Sequence, residues 1–284
     1  MEVFMNFLNI KASFFVVFFV LITSITVSSQ DINQVIEDTK WIEGPGTADI
    51  GGIAEIYVPL NYVFANEEDT KSLMTSMGNA LSGNEIGFFA PYTLEWFAVF
   101  EFSEIGYVSD EEKDELDADE LMEIIREGNE EANEFREENG FGKLFIDGWE
   151  MKPNYNEKTN NLEWAIRGID EYGYVVLNHS TRLLGRKGVM EVTLVAGDSS
   201  FADILKTYQS CLDKYSYSSG NKYAEYREGD KLYEYGLTGL VVGGGAALAA
   251  KSGLFKYLWK IIVGIFIAVS SFFKKLFPKF KKAG

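Results

Sequence analysis

The chain has 284 residues, with 43 acidic and 26 basic side chains and a formal net charge of −17. This length supports at least one sizeable hydrophobic core, and the acidic balance makes nucleic acid an unfavourable partner. The only cysteine is Cys211, so internal disulfides and metal sites built from several cysteines are excluded.

The first 29 residues are typical of a secretory signal peptide. An apolar run from Phe14 to Ile22 follows Lys11, and Val27 to Ser29 are small enough for a cleavage site. The basic flank is weak because Glu2 offsets Lys11, so an uncleaved signal anchor is the alternative. Both interpretations place the following domain outside the cytoplasm.

Residues 30–235 are predicted to form one acidic extracytoplasmic domain. Glu2 and Lys11 lie before it, and eight lysines but no acidic residue follow it, so the domain holds 42 acidic and 17 basic side chains, a net charge of −25. Residues 30 to about 228 are expected to fold without the rest of the chain, because they supply their own strands and helices.

The first half of this domain shows three strand-like runs and one helix start. Residues 54–59 alternate between apolar and polar and end at a proline, which predicts a short strand. Asn66 is followed by three acidic residues, a pattern that predicts a helix N-cap. The aromatic and β-branched runs at 83–91 and 96–102 predict two paired strands.

The densest acidic run, residues 110–120, does not fit a calcium loop of the EF-hand type. No glycine occupies the sixth position from a plausible first aspartate. The run instead predicts that Asp117 or Asp119 caps a helix that continues to about Asn139.

The second half of the domain predicts a meander of four strands and a closing helix. Runs at 144–151, 161–168, 172–184 and 188–195 are joined by short turns, which favour antiparallel pairing. Ser200 to Asp203 resembles a capping box that opens a helix carrying Cys211, which is expected to be buried. The fold class predicted is α+β: an antiparallel sheet with helices packed on it, followed by a C-terminal transmembrane anchor.

Residues 236–273 are apolar, rich in glycine and free of acidic side chains, and the five lysines of the basic tail, residues 274–284, follow them. The best span is 253–273, which would be about 31 Å long as a helix. The lysine-rich tail favours a single span that leaves the tail in the cytoplasm. A hairpin of two spans and an interfacial helix are the alternatives.

The sequence predicts no catalytic, cofactor-binding or metal-binding residue and no cofactor. His179 is the only histidine. A triad with Ser180 is formally possible but disfavoured, because neighbours in a strand point to opposite faces, and a structural or surface histidine is the better interpretation. One histidine does not supply the ligands of a typical zinc site. The sequence contains neither the Gly-x-Ser-x-Gly motif of a nucleophile elbow nor a phosphate-binding loop motif. A catalytic pair of carboxylates, as in glycoside hydrolases, is still compatible with the sequence, since 42 acidic residues permit many such pairs.

Six segments together resemble one bacterial family, that of membrane-anchored proteins numbered two-one-six-seven among the domains of unknown function. The segments are 79–87, 96–102, 117–119, 148–150, 178–186 and 235–237. The resemblance implies a domain that faces the periplasm from the bacterial inner membrane, but it supplies no activity and no catalytic residue. The order of strands and helices also resembles the small sandwich of photosystem-assembly and nuclear-import accessory proteins, as a fold analogy alone.

Two functions from different classes are therefore carried forward. The first is a membrane-anchored envelope protein with a protein-binding or assembly accessory domain, whose partners are the lipid bilayer and another protein. The alternative is a carboxylate-dependent hydrolase in the cell envelope. A deep pocket with two facing carboxyls would favour the enzyme, and an exposed aromatic surface would favour binding.

Overall fold

The computed structural model describes residues 29–77, 79, 81–138, 142–197 and 200–243. The helices in these residues are α1 (Ser29–Asp38), α2 (Glu67–Ser76), α3 (Ala118–Glu138), α4 (Phe201–Leu212) and α5 (Gly236–Val242). The strands are β1 (Ile42–Glu43), β2 (Gly46–Ile50), β3 (Ala54–Val58), β4 (Tyr62–Asn66), β5 (Glu85–Pro91), β6 (Phe97–Ser103), β7 (Leu144–Asn156), β8 (Asn161–Asp170), β9 (Val175–Leu184), β10 (Val189–Gly197) and β11 (Tyr215–Tyr217).

An 8-stranded sheet in the order β1-β4-β5-β6-β10-β9-β8-β7 forms the centre of the domain, and its neighbouring strands are antiparallel. A smaller 3-stranded sheet has the order β11-β3-β2. The predicted α+β class with an antiparallel sheet and helices is confirmed. The predicted pairing of β5 with β6 and the antiparallel meander from β7 to β10 are also confirmed.

Both faces of the large sheet are covered. On one face, Met190, Val192 and Leu194 of β10 share a core with the small sheet and α4. On the other, Val189 packs with apolar residues of α3 and α5, and Val195 packs with those of α2. Because both faces are covered, β10 is a nearly continuous buried run instead of an alternating one. The face that contacts α2, α3 and α5 is called the helix face below.

Two of the predicted helix caps are present. Asn66 Oδ1 accepts a hydrogen bond from Asp69 N at 3.2 Å and so caps α2. Asp117 Oδ1 accepts from the backbone N–H groups of Asp119 and Glu120, at 2.9 and 3.1 Å, and these bonds identify Asp117 as the residue that caps α3.

The capping box predicted at Ser200 was wrong. α4 begins at Phe201 as expected, but the Ser200 side chain makes no capping hydrogen bond. The backbone of Ser200 has ψ 12°, whereas a capping hydroxyl reaches the next turn from an extended backbone.

α5 comprises the first residues of the apolar segment 236–273, and it packs into the domain. Leu237, Leu240, Val241 and Val242 are at most 7 % exposed and share a core with α3 and β8. The sequence did not predict this helix as part of the domain core.

Among the described residues, no helix is long and apolar enough to cross a membrane. The span predicted at 253–273, residues 1–28 of the signal peptide and the basic tail 274–284 lie outside the described residues. The anchor and the signal peptide therefore stay predictions.

Candidate functional site

Four charged side chains form a row across the helix face of the large sheet. Strand register pairs Glu85 with Glu101, Glu101 with Glu191, and Glu191 with Arg182, on the adjacent strands β5, β6, β10 and β9. All four side chains are buried, with at most 9 % of their surface exposed. We call these four residues the carboxylate row. Charged side chains are almost never buried without partners, so the row needs a physical account.

The first partner is the turn that precedes β5. Glu85 Oε1 accepts from the backbone N–H of Ser82 at 2.5 Å, and Glu85 Oε2 accepts from that of Gly83 at 2.9 Å. Ser82 Oγ lies 2.9 Å from Glu85 Oε1 and 2.6 Å from Glu101 Oε1. One hydroxyl therefore bridges the two carboxyl groups at the β5 end of the row.

The β9 end of the row is an ion pair. Arg182 Nη2 lies 3.0 Å from Glu191 Oε2, and Ser103 Oγ donates to Glu191 Oε1 at 2.6 Å. The Arg182 guanidinium also lies over the ring of Trp164, 4.8 Å from its centroid. This cation–π contact covers one face of the guanidinium and stabilises its charge.

The pKa of Glu101 is raised from its usual value of 4.5 to about 7. The largest cause is burial, which disfavours the charged carboxylate. The contact with Ser82 lowers the pKa, the neighbouring Glu191 and Glu85 raise it, and Arg182 lowers it. Glu101 is thus the member of the row that is poised to hold a proton near neutral pH.

Two side chains of β9 carry buried polar atoms that find no partner in the described part of the chain. These atoms are Nε and Nη1 of Arg182 and Nδ2 and Oδ1 of Asn178. Asn178 and Arg182 are four residues apart on β9 and so share the helix face. Unpaired polar groups of this kind are each destabilising by about 1–3 kcal/mol.

The arrangement can hold a proton, but it does not present a reaction centre to solvent. Each carboxyl of the row is at most 9 % exposed, so a dissolved substrate cannot reach it without a movement of the protein. Among the residues that the structure describes, no group of three or more histidine, cysteine, aspartate or glutamate side chains could hold a metal ion.

His179 lies on the opposite face of β9 from the carboxylate row, and it is fully buried. Its Nε2 lies 3.4 Å from Glu163 Oε2, and its Nδ1 lies 3.4 Å from Thr181 Oγ1, which in turn lies 3.0 Å from the hydroxyl of Tyr208. Ser180 points to the other face, as predicted. His179 therefore joins β8, β9 and α4 in a polar network inside the core.

A shallow cleft opens at one end of the large sheet. Its volume is about 520 Å³, and it is lined by Leu60, Asn61, Tyr62, Pro91, Tyr92 and Thr93. Leu60 is 65 % exposed and Tyr92 is 50 % exposed. The ring of Tyr62 stacks on buried Phe89, with ring centroids 5.4 Å apart, so one wall of the cleft is fixed to the core.

The same end of the sheet carries a second group of exposed aromatic side chains. Phe145, Tyr172 and Tyr174 are 51 %, 63 % and 72 % exposed. The start of β6 pairs with the end of β10, which pairs with the start of β9. The start of β9 pairs with the end of β8, which pairs with the start of β7, so the two groups lie at the same end of their strands but on opposite sides of the sheet order. We call Leu60, Tyr92, Phe145, Tyr172 and Tyr174 together the aromatic end.

The sequence did not predict the carboxylate row. Its members are far apart in the chain, and each is one glutamate or arginine among many charged residues. One signal was present: Glu85, Glu101 and Arg182 all lie in segments that carry the family resemblance, namely 79–87, 96–102 and 178–186. Three separate segments therefore meet at one place on the sheet.

The fold and the site define a class of protein: an α+β domain that encloses a row of carboxyl groups in one face of an antiparallel sheet. Residues 42–273 match the family model described as "Protein of unknown function (DUF2167)". The chain belongs to this family, as the resemblance implied. No curated protein matches the sequence.

Two solved structures are similar to this chain at low scores. The solution structure of cyanobacterial PsbP (CyanoP) from Synechocystis sp. PCC 6803 has a TM-score of 0.37 and 9 % identity, over 62 % of this chain and 95 % of that one. The Saccharomyces cerevisiae Ran-binding protein Mog1p has a TM-score of 0.33 and 8 % identity, over 65 % of this chain and 100 % of that one. Scores this low carry no weight for function.

Proposed function

We propose that this protein is a membrane-anchored accessory protein of the bacterial envelope, and that its acidic domain binds a protein partner through the aromatic end. The observation that carries the proposal is the exposure of Tyr92, Phe145, Tyr172 and Tyr174, each at least half exposed, at one end of the sheet. Exposed aromatic side chains are typical of protein-binding surfaces, and a partner that contacts both Tyr92 and Tyr174 would span the strands that lie between them in the sheet.

The charge of the domain indicates the chemistry of that partner. The net charge of −25 for residues 30–235 follows from 42 acidic and 17 basic side chains. At the cleft, Glu43 is exposed and hydrogen-bonded to Tyr92. A partner that presents basic residues around an apolar centre would be attracted to this surface and oriented on it.

The membrane part of the proposal rests on the sequence pattern. A signal peptide at 1–29, an apolar segment at 236–273 and a lysine-rich tail at 274–284 support an inner-membrane protein whose domain faces the periplasm. The burial of α5 in the domain supports an anchor that begins after Val242 and holds the domain close to the bilayer.

The alternative, a carboxylate-dependent hydrolase, is less well supported. Glu85 and Glu101 are two facing carboxyls bridged by Ser82. Their burial separates them from solvent, however, whereas a hydrolase needs its carboxyls to reach a dissolved or bound substrate.

Photo-cross-linking in intact cells tests the proposed surface. A photoreactive amino acid at Tyr92 or Tyr174 is expected to capture the same partner protein. The matched control is Tyr226, which is 40 % exposed and contacts Tyr107 beyond the opposite end of β6. Capture of that partner from position 226 but not from 92 or 174 would overturn the assignment of the surface.

Thiol labelling tests the topology separately. In a Cys211→Ser background, a cysteine introduced at position 283 should resist a membrane-impermeant reagent in intact cells and react after the cells are lysed. Labelling of this cysteine in intact cells would contradict the single span and support the hairpin.

A further inference from the structure

We propose that Glu85 and Glu101 form a proton-binding site, in which one bound proton holds the turn at Ser82–Asn84 closed against the large sheet. This proposal does not depend on the protein-binding function. It rests on the hydrogen bonds that meet at Ser82 and on the burial of the two carboxyls.

A count of protons at Ser82 Oγ identifies the bound proton. This oxygen lies 2.9 Å from Glu85 Oε1, 2.6 Å from Glu101 Oε1 and 3.1 Å from the backbone N of Asn84, which donates to it. A hydroxyl has one proton to donate and two lone pairs that accept. It can therefore donate to only one of the two carboxyls, and the other contact requires a proton on the carboxyl itself.

The backbone decides which carboxyl carries that proton. Glu85 already accepts from two backbone N–H groups, those of Ser82 and Gly83, one on each oxygen. Donors on both oxygens favour the ionised form of a carboxyl. Glu85 is therefore the carboxylate, and Glu101 carries the proton and donates it to Ser82 Oγ across the shorter of the two contacts.

Loss of this proton would weaken the hold of β6 on Ser82, while Asn84 O would still accept from Phe102 N of β6, at 3.1 Å. The proton would pass to water, and two carboxylates would then face one hydroxyl that can satisfy only one of them. The charged groups that act on Glu101 are Glu85 on β5, Glu191 on β10 and Arg182 on β9, and Arg182 is already paired with Glu191. The least costly relief is for Ser82 and Gly83 to move away from the sheet and let water reach Glu101.

Hydrogen exchange at the turn measures this directly. The backbone N–H groups of Ser82 and Gly83 should be protected in the full-length protein in detergent at pH 5.5. After correction for the intrinsic exchange rate, their protection should fall more than about tenfold by pH 8, because the open turn releases the Glu101 proton more readily. The raised pKa of Glu101, about 7, places the change in this interval.

Glu101→Gln is the matched variant. The glutamine side chain keeps a donor for Ser82 Oγ and cannot ionise, so protection of the turn should no longer depend on pH. Two other turns are internal controls, since single carboxylates hold them: Glu225 accepts from the N–H groups of Gly220 and Lys222, and Asp170 from those of Tyr172 and Tyr174. Their protection should not change over the same interval.

A second measurement observes the proton itself. In infrared difference spectra of the wild type minus Glu101→Gln, in which the bands of the other carboxyls cancel, a protonated carboxyl band should be present at pH 5.5 and lost between pH 6 and 8. Absence of this band at pH 5.5, or protection at Ser82 and Gly83 that is the same at pH 5.5 and 8, would overturn the proposal. An equal pH response in the wild type and in Glu101→Gln would also overturn it.

Discussion

Asn133 of α3 pairs with the backbone of Leu144 much as a neighbouring strand would. Its Oδ1 accepts from Leu144 N at 2.9 Å, and its Nδ2 donates to Leu144 O at 2.6 Å. Arg136 Nη1 donates to the same Oδ1 at 3.0 Å and fixes the orientation of the amide. Leu144 opens β7, the last strand of the sheet order, so one side chain satisfies the outer backbone groups at the start of an edge strand.

Replacement of Asn133 by alanine should destabilise the domain by about 2–3 kcal/mol, because a buried N–H loses its partner and a buried C=O loses one of two. Asn129→Ala is the matched control. Asn129 Nδ2 donates to Leu144 O at 2.7 Å, and that oxygen keeps its bond from Asn133. Arg136 Nη1 lies 3.5 Å from Asn129 Oδ1 but keeps its shorter bond to Asn133, so we expect a loss of about 1 kcal/mol or less. Urea denaturation of both variants checks this, and equal losses would contradict the special role of Asn133.

Glu101→Gln should make the domain more stable than the wild type at pH 8. The folded-state pKa of Glu101 is about 7, above the usual 4.5, so its contribution to stability is fully present below about pH 4.5 and is lost as the pH rises through about 7. The glutamine side chain cannot ionise, so the variant keeps this contribution at every pH. At pH 8 its free energy of unfolding should exceed that of the wild type by roughly 3 kcal/mol. Denaturation at pH 5 and pH 8 measures the difference; an advantage that does not grow with pH would refute it.

Removal of one member of the Arg182–Glu191 pair should destabilise the domain more than removal of both. Arg182→Met leaves a carboxylate that is 7 % exposed without its counter-ion, and we expect a loss of about 3–5 kcal/mol. With Glu191→Gln added, the buried charge disappears while Ser103 keeps an acceptor, so the double variant should recover part of the loss. A double-mutant cycle gives this coupling, and additive losses would contradict it.

Cys211 should behave as a packing residue, in agreement with the sequence-based expectation of burial, which the structure confirms. Its side chain is 4 % exposed, and burial raises the pKa of its thiol. Cys211→Ala should lower the free energy of unfolding by about 1 kcal/mol. The thiol should react slowly with a labelling reagent in the native protein and quickly in urea. Ser210→Cys in a Cys211→Ala background is the exposed control, and similar native rates for the two thiols would contradict burial.

A fragment comprising residues 30–228 should fold poorly, against the expectation from sequence. It lacks α5, whose Leu237 and Leu240 are at most 3 % exposed and pack with Leu121 of α3 and Trp164 of β8. A fragment comprising residues 29–243 keeps this helix and should unfold cooperatively. Thermal melts of the two fragments decide the matter, and equally cooperative melts would show that α5 is dispensable.

Local patterns in the sequence were sufficient for the main elements. Asn66 was recognised as a cap, and the cap of α3 was narrowed to Asp117 or Asp119, because a capping bond joins residues two or three positions apart. The meander was recognised because its turns are too short for crossovers. These features depend on neighbours in the chain, so the sequence alone determined them, together with the family to which the chain belongs.

The carboxylate row depends on contacts that no local pattern records. Glu85, Glu101 and Arg182 meet because strand order and register bring β5, β6, β10 and β9 side by side. Their burial depends on both faces of the sheet being covered, and that packing joins elements far apart in the chain. α5 was assigned to the anchor for a related reason: its apolar residues look the same whether lipid or a protein core covers them, and only the tertiary structure decides which one does.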